Sequence, residues 1–252
     1  MLKADFHSHT NYIQPYETNY SPKELIDRAA SLSFDAFCIS EHYVLTRLGE
    51  LLKEYRKYPF STYENFKDYA KEKGILLIRS VEMRYPEGEV LLVNFHGDVK
   101  DYPTIKSLNT LPSNVLVIAP HPFFKRKICL GENLERNISL IGAVEYSHFY
   151  NGLINLNKQA VSIANKHKKP VVGTSDAHHL LEVGTSYTLV DAEKDADSIV
   201  KAVKEGKIKL VTKPLPLHLF GFITLSSFYK MSSGAMRIAY RKLLRNLRKI
   251  TW

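Results

Sequence analysis

At 252 residues, with 44% hydrophobic and 24% charged side chains, the chain has the composition of a folded globular protein and the length of one large α/β domain. Its formal charge of +9 is confined to the end: beyond Glu205 there is no Asp or Glu, while ten Lys and Arg residues from Lys207 to Lys249 add +10. The first 205 residues are therefore close to neutral, and the global charge is no argument for a nucleic-acid-binding body. No segment has the roughly 18 uninterrupted apolar residues of a membrane span, and Met1-Leu2-Lys3-Ala4-Asp5 lacks the basic and apolar regions of a secretion signal. Cys38 and Cys129 stand far apart with no CxxC, so free thiols in a reducing cytoplasm are expected.

Along the chain, strand and helix signals alternate. Residues 2–6 read as a strand. Ser21-Pro22-Lys23-Glu24 carries an N-cap Ser, Pro at the first helical position and Glu at the third, a capping box that opens a helix with Leu25, Ala29 and Leu32 on one face. Residues 34–40 form a short apolar strand ending at Glu41-His42. Helical stretches near 45–58 and 63–73 lead through Gly74 into a strand over 75–81, ending at Glu82. Further strands are expected at 90–95, ending at His96; at 115–119, ending at Pro120-His121; and at 141–144, ending at Glu145. A helix from about 154 to 167 precedes the strand 171–174, which ends at Asp176 and His178. A strand at 187–190, a helix near 196–205 and a strand at 208–211 complete the body. Repeated β-then-α units imply a parallel sheet, and their number implies a closed or nearly closed barrel. The expected division is a barrel over 1–212 and an extension over 213–252.

Polar residues recur where these strands end: His7, His9, Glu41, His42, Glu82, His96, His121, Glu145, Asp176 and His178. An α/β barrel builds its active site from such ends. His7 and His9, spaced i and i+2, can share one face of a strand. Imidazole and carboxylate are the ligand set for Zn, Mn or Fe, and so many of them suggest two or three ions. Glu82, alone at its strand end, suits a carboxylate bridging two cations. Taken singly, each histidine reads as an ordinary packing or surface residue; the joint pattern does not. His167, His179 and His218 are assigned no role.

Asp5-Phe6-His7-Ser8-His9-Thr10, Ser40-Glu41-His42, Ser80-Val81-Glu82, Ala119-Pro120-His121-Pro122 and Thr174-Ser175-Asp176-Ala177-His178 resemble, in order, the motifs of the PHP (polymerase and histidinol phosphatase) domain. The resemblance runs from Leu2 to about Val211. It implies a distorted (β/α)7 TIM-like barrel with a trinuclear metal centre. By motif position, His7, His9, Glu82 and Asp176 would bind one ion; Glu82, His96 and His121 a second; His42 and His178 a third, with a further ligand from the loop after His9. That loop departs from the family's usual Asp or His, and Glu17 is the best match. Glu41 stands where the family more often has Asp. Glu145 fits an acidic strand end that supports a ligand, with His148 an alternative contact.

The activity implied is hydrolysis of a phosphomonoester, from a small metabolite or a nucleotide, by a metal-bound hydroxide, with His42, His178 and Arg84 as catalytic candidates. Arg84, Lys125 and Arg126 are candidates for contacting phosphate, or are ordinary solvated loop charges. Histidinol phosphate and a nucleic-acid end are alternative substrates. A reading of a different class is a non-catalytic PHP-like barrel that binds RNA or protein, which would be expected to lose ligands that this chain keeps. An amidohydrolase-type site also begins with HxH but usually carries a bridging Lys, and none is found here.

The tail turns helical from Ala235. Met236, Ala239, Tyr240, Leu243, Leu247 and Ile250 fall on one face and the cationic residues largely on the other. It reads either as a helix docked on the barrel or as a contact for an anionic membrane surface, a nucleic-acid backbone or a partner chain.

Overall fold

The computed structural model of the chain describes residues 1–14, 17–44, 58–124 and 128–231, with side chains described to 226. The helical stretch expected near 45–58 falls outside them but for its last residue; Lys125, Arg126 and the expected cationic tail segment from Ala235 lie wholly outside. Among the described residues are ten strands and six helices. In chain order they are β1 (Leu2–Asp5), α1 (Pro22–Ser31), β2 (Ala36–Ile39), β3 (His42–Val44), α2 (Ser61–Glu72), β4 (Leu76–Tyr85), β5 (Gly88–Val93), β6 (Leu116–Ala119), α3 (Asn133–Arg136), β7 (Ala143–Ser147), α4 (Asn157–Lys166), β8 (Val171–Thr174), β9 (Ser186–Val190), α5 (Ala196–Lys204), β10 (Ile208–Thr212) and α6 (Leu217–Met231). The capping box forms as its sequence requires: the Ser21 hydroxyl accepts from the Glu24 amide at 3.3 Å, and the Glu24 carboxylate accepts from the Ser21 amide at 2.8 Å.

The strands make one sheet in the order β10-β9-β1-β2-β4-β5-β6-β7-β8, with β3 also paired to β4. β1, β2 and β4 are mutually parallel neighbours, as are β6, β7 and β8. β5 runs antiparallel to both β4 and β6, and β9 antiparallel to β1 and β10. The sheet curls until its ends meet. Ser8 bridges to Ala177, and the Thr188 hydroxyl of β9 both accepts from the Gly173 amide of β8 (2.9 Å) and donates to the Gly173 carbonyl (3.0 Å). The result is a nearly closed barrel.

Strand parity decides what lies inside. Ala4, Phe6, Ala36, Cys38, Ile78, Leu91, Val93, Leu116, Ile118, Ala143 and Val172 share one buried cluster with Ile199, Val200, Ala202 and Val203 of α5. The alternate residues, such as Leu77, Val81 and Val117, belong to two other clusters, with α1 and α2 on one side and α4 on the other. Helix α5 covers the end of the barrel where β5 finishes and β6 begins: Asp197 accepts from Asn94 (2.6 Å) and Asn114 (3.0 Å), and Lys204 donates to the Val115 carbonyl (2.7 Å). Its apolar face takes that end's hydrophobic load, which leaves the opposite end for polar residues.

One feature differs from the sequence expectation. β4 continues past Glu82 to Tyr85, turns through Pro86-Glu87 and returns as β5, so the pair is a hairpin and not two parallel strands. Gly88, at φ +138°, makes that turn possible; a Cβ there would sit 2.6 Å from the Leu130 amide nitrogen. The chain also divides into two units. The barrel unit is Met1–His148 with Leu156–Lys213, and the second joins Phe149–Asn155 to Pro214–Trp252. Within the second unit, the Leu215 amide donates to the Tyr150 carbonyl (2.8 Å) and Phe149 stacks on Phe220 at 4.3 Å. No helix among the described residues is long and apolar enough to cross a membrane.

Barrel closure depends on close approach at Gly173, where a Cβ would meet Leu210 Cδ1 at 2.5 Å and the Tyr187 carbonyl oxygen at 2.7 Å. Gly173→Ala is expected to lower stability by about 1–3 kcal/mol, as overpacking does. Urea denaturation followed by circular dichroism measures it; an unchanged midpoint would show that β8 and β9 do not pack this tightly.

Candidate metal centre

The barrel end opposite α5 gathers seven of the polar strand-end groups named above. Its base is Glu82, on the same face of β4 as Ile78 and Ser80 and wholly buried. His7 and His9 reach it from the end of β1, and their Nε2 atoms stand 3.0 Å apart. Glu82 Oε2 is 3.5 Å from each of those nitrogens, and Asp176 Oδ1 is 3.4 Å from His7 Nε2 and 3.2 Å from His9 Nε2. His121 Nε2 lies 3.5 Å from Glu82 Oε1 and 3.8 Å from Asp176 Oδ2. On the other side, His42 Nδ1 is 2.7 Å from Glu82 Oε2, and Glu17 Oε1 is 2.8 Å from His178 Nε2 and 3.6 Å from His42 Nε2.

These separations include two kinds of contact, direct pairs such as His178 with Glu17 at 2.8 Å and wider ones suited to a shared ion. Ligands 2.0–2.2 Å from a tetrahedral ion lie about 3.4 Å from one another, whereas hydrogen-bonded partners lie at about 2.7–3.2 Å. The distances among His7, His9, Glu82 and Asp176 run from 3.0 to 3.5 Å. Both oxygens of Glu82, Oδ1 of Asp176 and Nδ1 of His9 are buried without a hydrogen bond of acceptable geometry. Four groups of three donors fall within 4.8 Å of one another: His7, His9 and Glu82; His9, His42 and His178; His7, His121 and Asp176; and His42, Glu82 and Glu89. The donor set fits divalent metal ions, with room for more than one.

Electrostatics agree. Burial pushes Glu82 and Asp176 upward, but the imidazoles around them, His42 and His7 foremost for Glu82 and His7 for Asp176, hold both well below the usual carboxylate range. Burial, with the charges of His42, His178 and His7 against it, brings His9 down to about 3, so its imidazole is neutral, the form a metal ligand takes. Burial opposes charge on His7 too, but Asp176, Glu82 and Glu145 outweigh it and raise that group.

Surrounding residues fix the donors. Glu145, at the end of β7, accepts from His7 Nδ1 at 2.8 Å and from the His121 amide at 3.2 Å, which turns His7 Nε2 toward the cluster. Cys129 Sγ lies 3.4 Å from His121 Nδ1. Asp5 accepts from the amides of His7 (3.2 Å) and Ser175 (3.1 Å), joining the ends of β1 and β8. Burial raises Asp5 to about 6. Glu182 accepts from the amides of His178 (2.6 Å) and His179 (2.7 Å). Asp176 and His121 have φ of +42° and +27°, in the left-handed region that costs a non-glycine residue about 1–3 kcal/mol; the barrel holds both there at the cluster.

Other expected residues lie elsewhere. His96 is exposed and bonds Asn94 Oδ1 at 3.1 Å, at the α5 end of the barrel. The reason is strand direction: in the β4–β5 pairing Ser80 faces Val93, so β5 runs away from Glu82 and carries His96 to the wrong end. His96 is therefore no part of the centre. Glu41 turns to Thr10 (2.5 Å) and Thr62 (2.8 Å), and burial raises it to about 7. His148 faces Glu182 at 3.5 Å, outside the cluster. Arg84 lies beyond Glu82 on the same face and is bound by the Glu89 carboxylate (Nε at 2.7 Å). Sequence reading missed Glu89, Glu182 and Cys129; only the strand pairing brings Glu89 to the centre.

The PHP domain model matches residues 5–169, and a PHP-associated model matches 155–208. Among solved structures, the chain is similar to a two-domain protein from Bacteroides vulgatus containing a predicted PHP-like metal-dependent phosphoesterase, at TM-score 0.61 and 18% identity, covering 84% of this chain and 64% of that one. It is also similar to PsfC from Pseudomonas syringae, at TM-score 0.59 and 15% identity over 91% and 98% of the two chains. A third is a lesson in size: the lesion-specific endonuclease EndoQ from Pyrococcus furiosus, at TM-score 0.51 and 13% identity, of which the match covers 57% and 83% of this chain. No curated protein matches.

Glu145→Gln is expected to weaken zinc binding about 10–100-fold, the usual effect of losing a carboxylate behind a histidine ligand, while His96→Ala leaves it unchanged. Titration of the metal-free protein against a competing chelator measures both. Equal affinity for wild type and Glu145→Gln, or weaker binding in His96→Ala, would contradict these placements.

Proposed function

The chain belongs to the PHP-domain family, and on that premise we propose that it is a metal-dependent phosphoesterase that hydrolyses a phosphomonoester of a small metabolite or a nucleotide. One observation carries the reading: two imidazoles and two carboxylates meet with their lone pairs facing one another, buried and spaced as ligands to an ion. In this reading His7, His9, Glu82 and Asp176 hold one divalent ion, Zn, Mn or Fe, and His42, His178 and Glu17 hold another. Such ions supply Lewis acidity to a phosphoryl oxygen and make water acidic enough to serve as a nucleophile near neutral pH.

The remaining work falls to side chains of this chain. Glu145 keeps the His7 proton on Nδ1 and so leaves Nε2 as a donor. The Asp176 carbonyl accepts from His178 Nδ1 at 2.9 Å, which presents Nε2 of that ring to the centre. His178 is the most exposed of the clustered imidazoles, and with both ring nitrogens engaged it leaves protonation of the leaving oxygen to water. Arg84, held by Glu89 at the rim, offers a planar guanidinium suited to phosphate oxygens. Phosphate charge developing in the transition state is then met by fixed positive groups in a site whose walls are mostly buried.

Replacing His7 and His9 together with Ala should abolish hydrolysis of an aryl phosphate assayed with added Mn or Zn, while the circular dichroism spectrum stays native. Activity retained in that variant would overturn the proposed mechanism.

A further inference from the structure

Glu89 is a buried carboxylate with no part in the ligand sets assigned above. It is 1% exposed, second in β5, and paired in register with Arg84 across the hairpin. Arg84 Nε and Nη2 both donate to a single oxygen, Oε1, and Oε2 is buried with no hydrogen-bond partner. A carboxylate oxygen of Glu89, one of Glu82 and a ring nitrogen of His42 lie within 4.8 Å of one another. Two carboxylates thus converge away from water, and Arg84 answers only one of their four oxygens. Burying ionised carboxylates side by side costs several kcal/mol per ion unless a cation or a shared proton compensates.

The strand geometry shows why Glu89 is the group available. The residue facing Glu82 across the hairpin is Leu91, fully buried and without a donor atom. His96 is carried to the far end by the direction of β5. A cation on the hairpin side of Glu82 finds its carboxylate from β5 only at Glu89, two pairs further toward the turn and on the same face. We propose that Glu89 is a metal ligand in this protein, seating a divalent ion with Glu82 on the hairpin side of the centre while Arg84 fixes its other oxygen and His42, whose Nδ1 stands 2.7 Å from Glu82 Oε2, keeps Nε2 for the ion of His178 and Glu17. This rests on the metal reading of the site given above.

The test uses crystals of the full chain prepared with zinc, with diffraction data collected at the zinc absorption edge. An anomalous peak is expected about 2.0–2.2 Å from an oxygen of Glu89. In solution, Glu89→Gln and the charge-balanced pair Arg84→Met with Glu89→Met should each retain one zinc equivalent fewer than wild type after gel filtration. The double replacement leaves no buried charge stranded, and diffraction from the wild type reads the proposal even where a variant fails to fold. Zinc peaks on His7 and His9 with none at Glu89 would overturn the assignment of Glu89 and leave the phosphoesterase reading standing. No zinc peak at all would overturn both.

Discussion

Glu82 sets the terms for this molecule. It is a fully buried carboxylate with imidazoles on three sides and no hydrogen bond to either oxygen. An arrangement of that kind is unfavourable in a protein interior unless positive charge is shared across it. Protonated histidines can supply the charge in part, which is why His7, His42 and His121 are all raised despite burial. A metal ion would supply it more directly, since Glu82 and Asp176 stand 3.2–3.5 Å from the Nε2 atoms of His7 and His9, as ligands of one ion do.

The barrel is organised to hold that arrangement. Period-two alternation places Glu82 and Glu145 on the inner face, over a layer in which Ser40 and Ser80 meet at 2.9 Å and an apolar floor closed by α5. Asp5 ties the ends of β1 and β8 together, so His7 and Asp176 keep their relation although 169 positions separate them in sequence. Two of the five left-handed non-glycine residues among the described ones, His121 and Asp176, sit where their strands end and the chain must turn a donor inward. Buried charge is concentrated at one rim, while α5 lays its apolar face on the opposite one.

Much of this was legible in the residue order. The HxH pair at the end of β1, the lone Glu82, the Pro-His after β6 and the DxH after β8 each follow an apolar run that does form a strand, and their side chains meet. Glu17 also joins, from a loop with no secondary-structure signal. His96 misled because a strand's direction is not written in its own sequence: 90–95 is as apolar as a parallel strand, and only the Pro86-Glu87-Gly88 turn marks it as the return arm of a hairpin. The same reversal hid Glu89, which reads as a solvated turn residue until the pairing with Arg84 is known. Glu182 and Cys129 were invisible for another reason: they act through a backbone amide and through the far side of an imidazole, contacts that no spacing rule encodes.

The central claim is that this buried constellation is a metal centre, and its most direct measurement is the metal content of the protein purified without chelators, by inductively coupled plasma mass spectrometry. The account predicts more than one equivalent of transition metal per chain, lost when His7 and His9 are both replaced. Less than one equivalent after gentle preparation, with no uptake from added Zn, Mn or Fe, would contradict it.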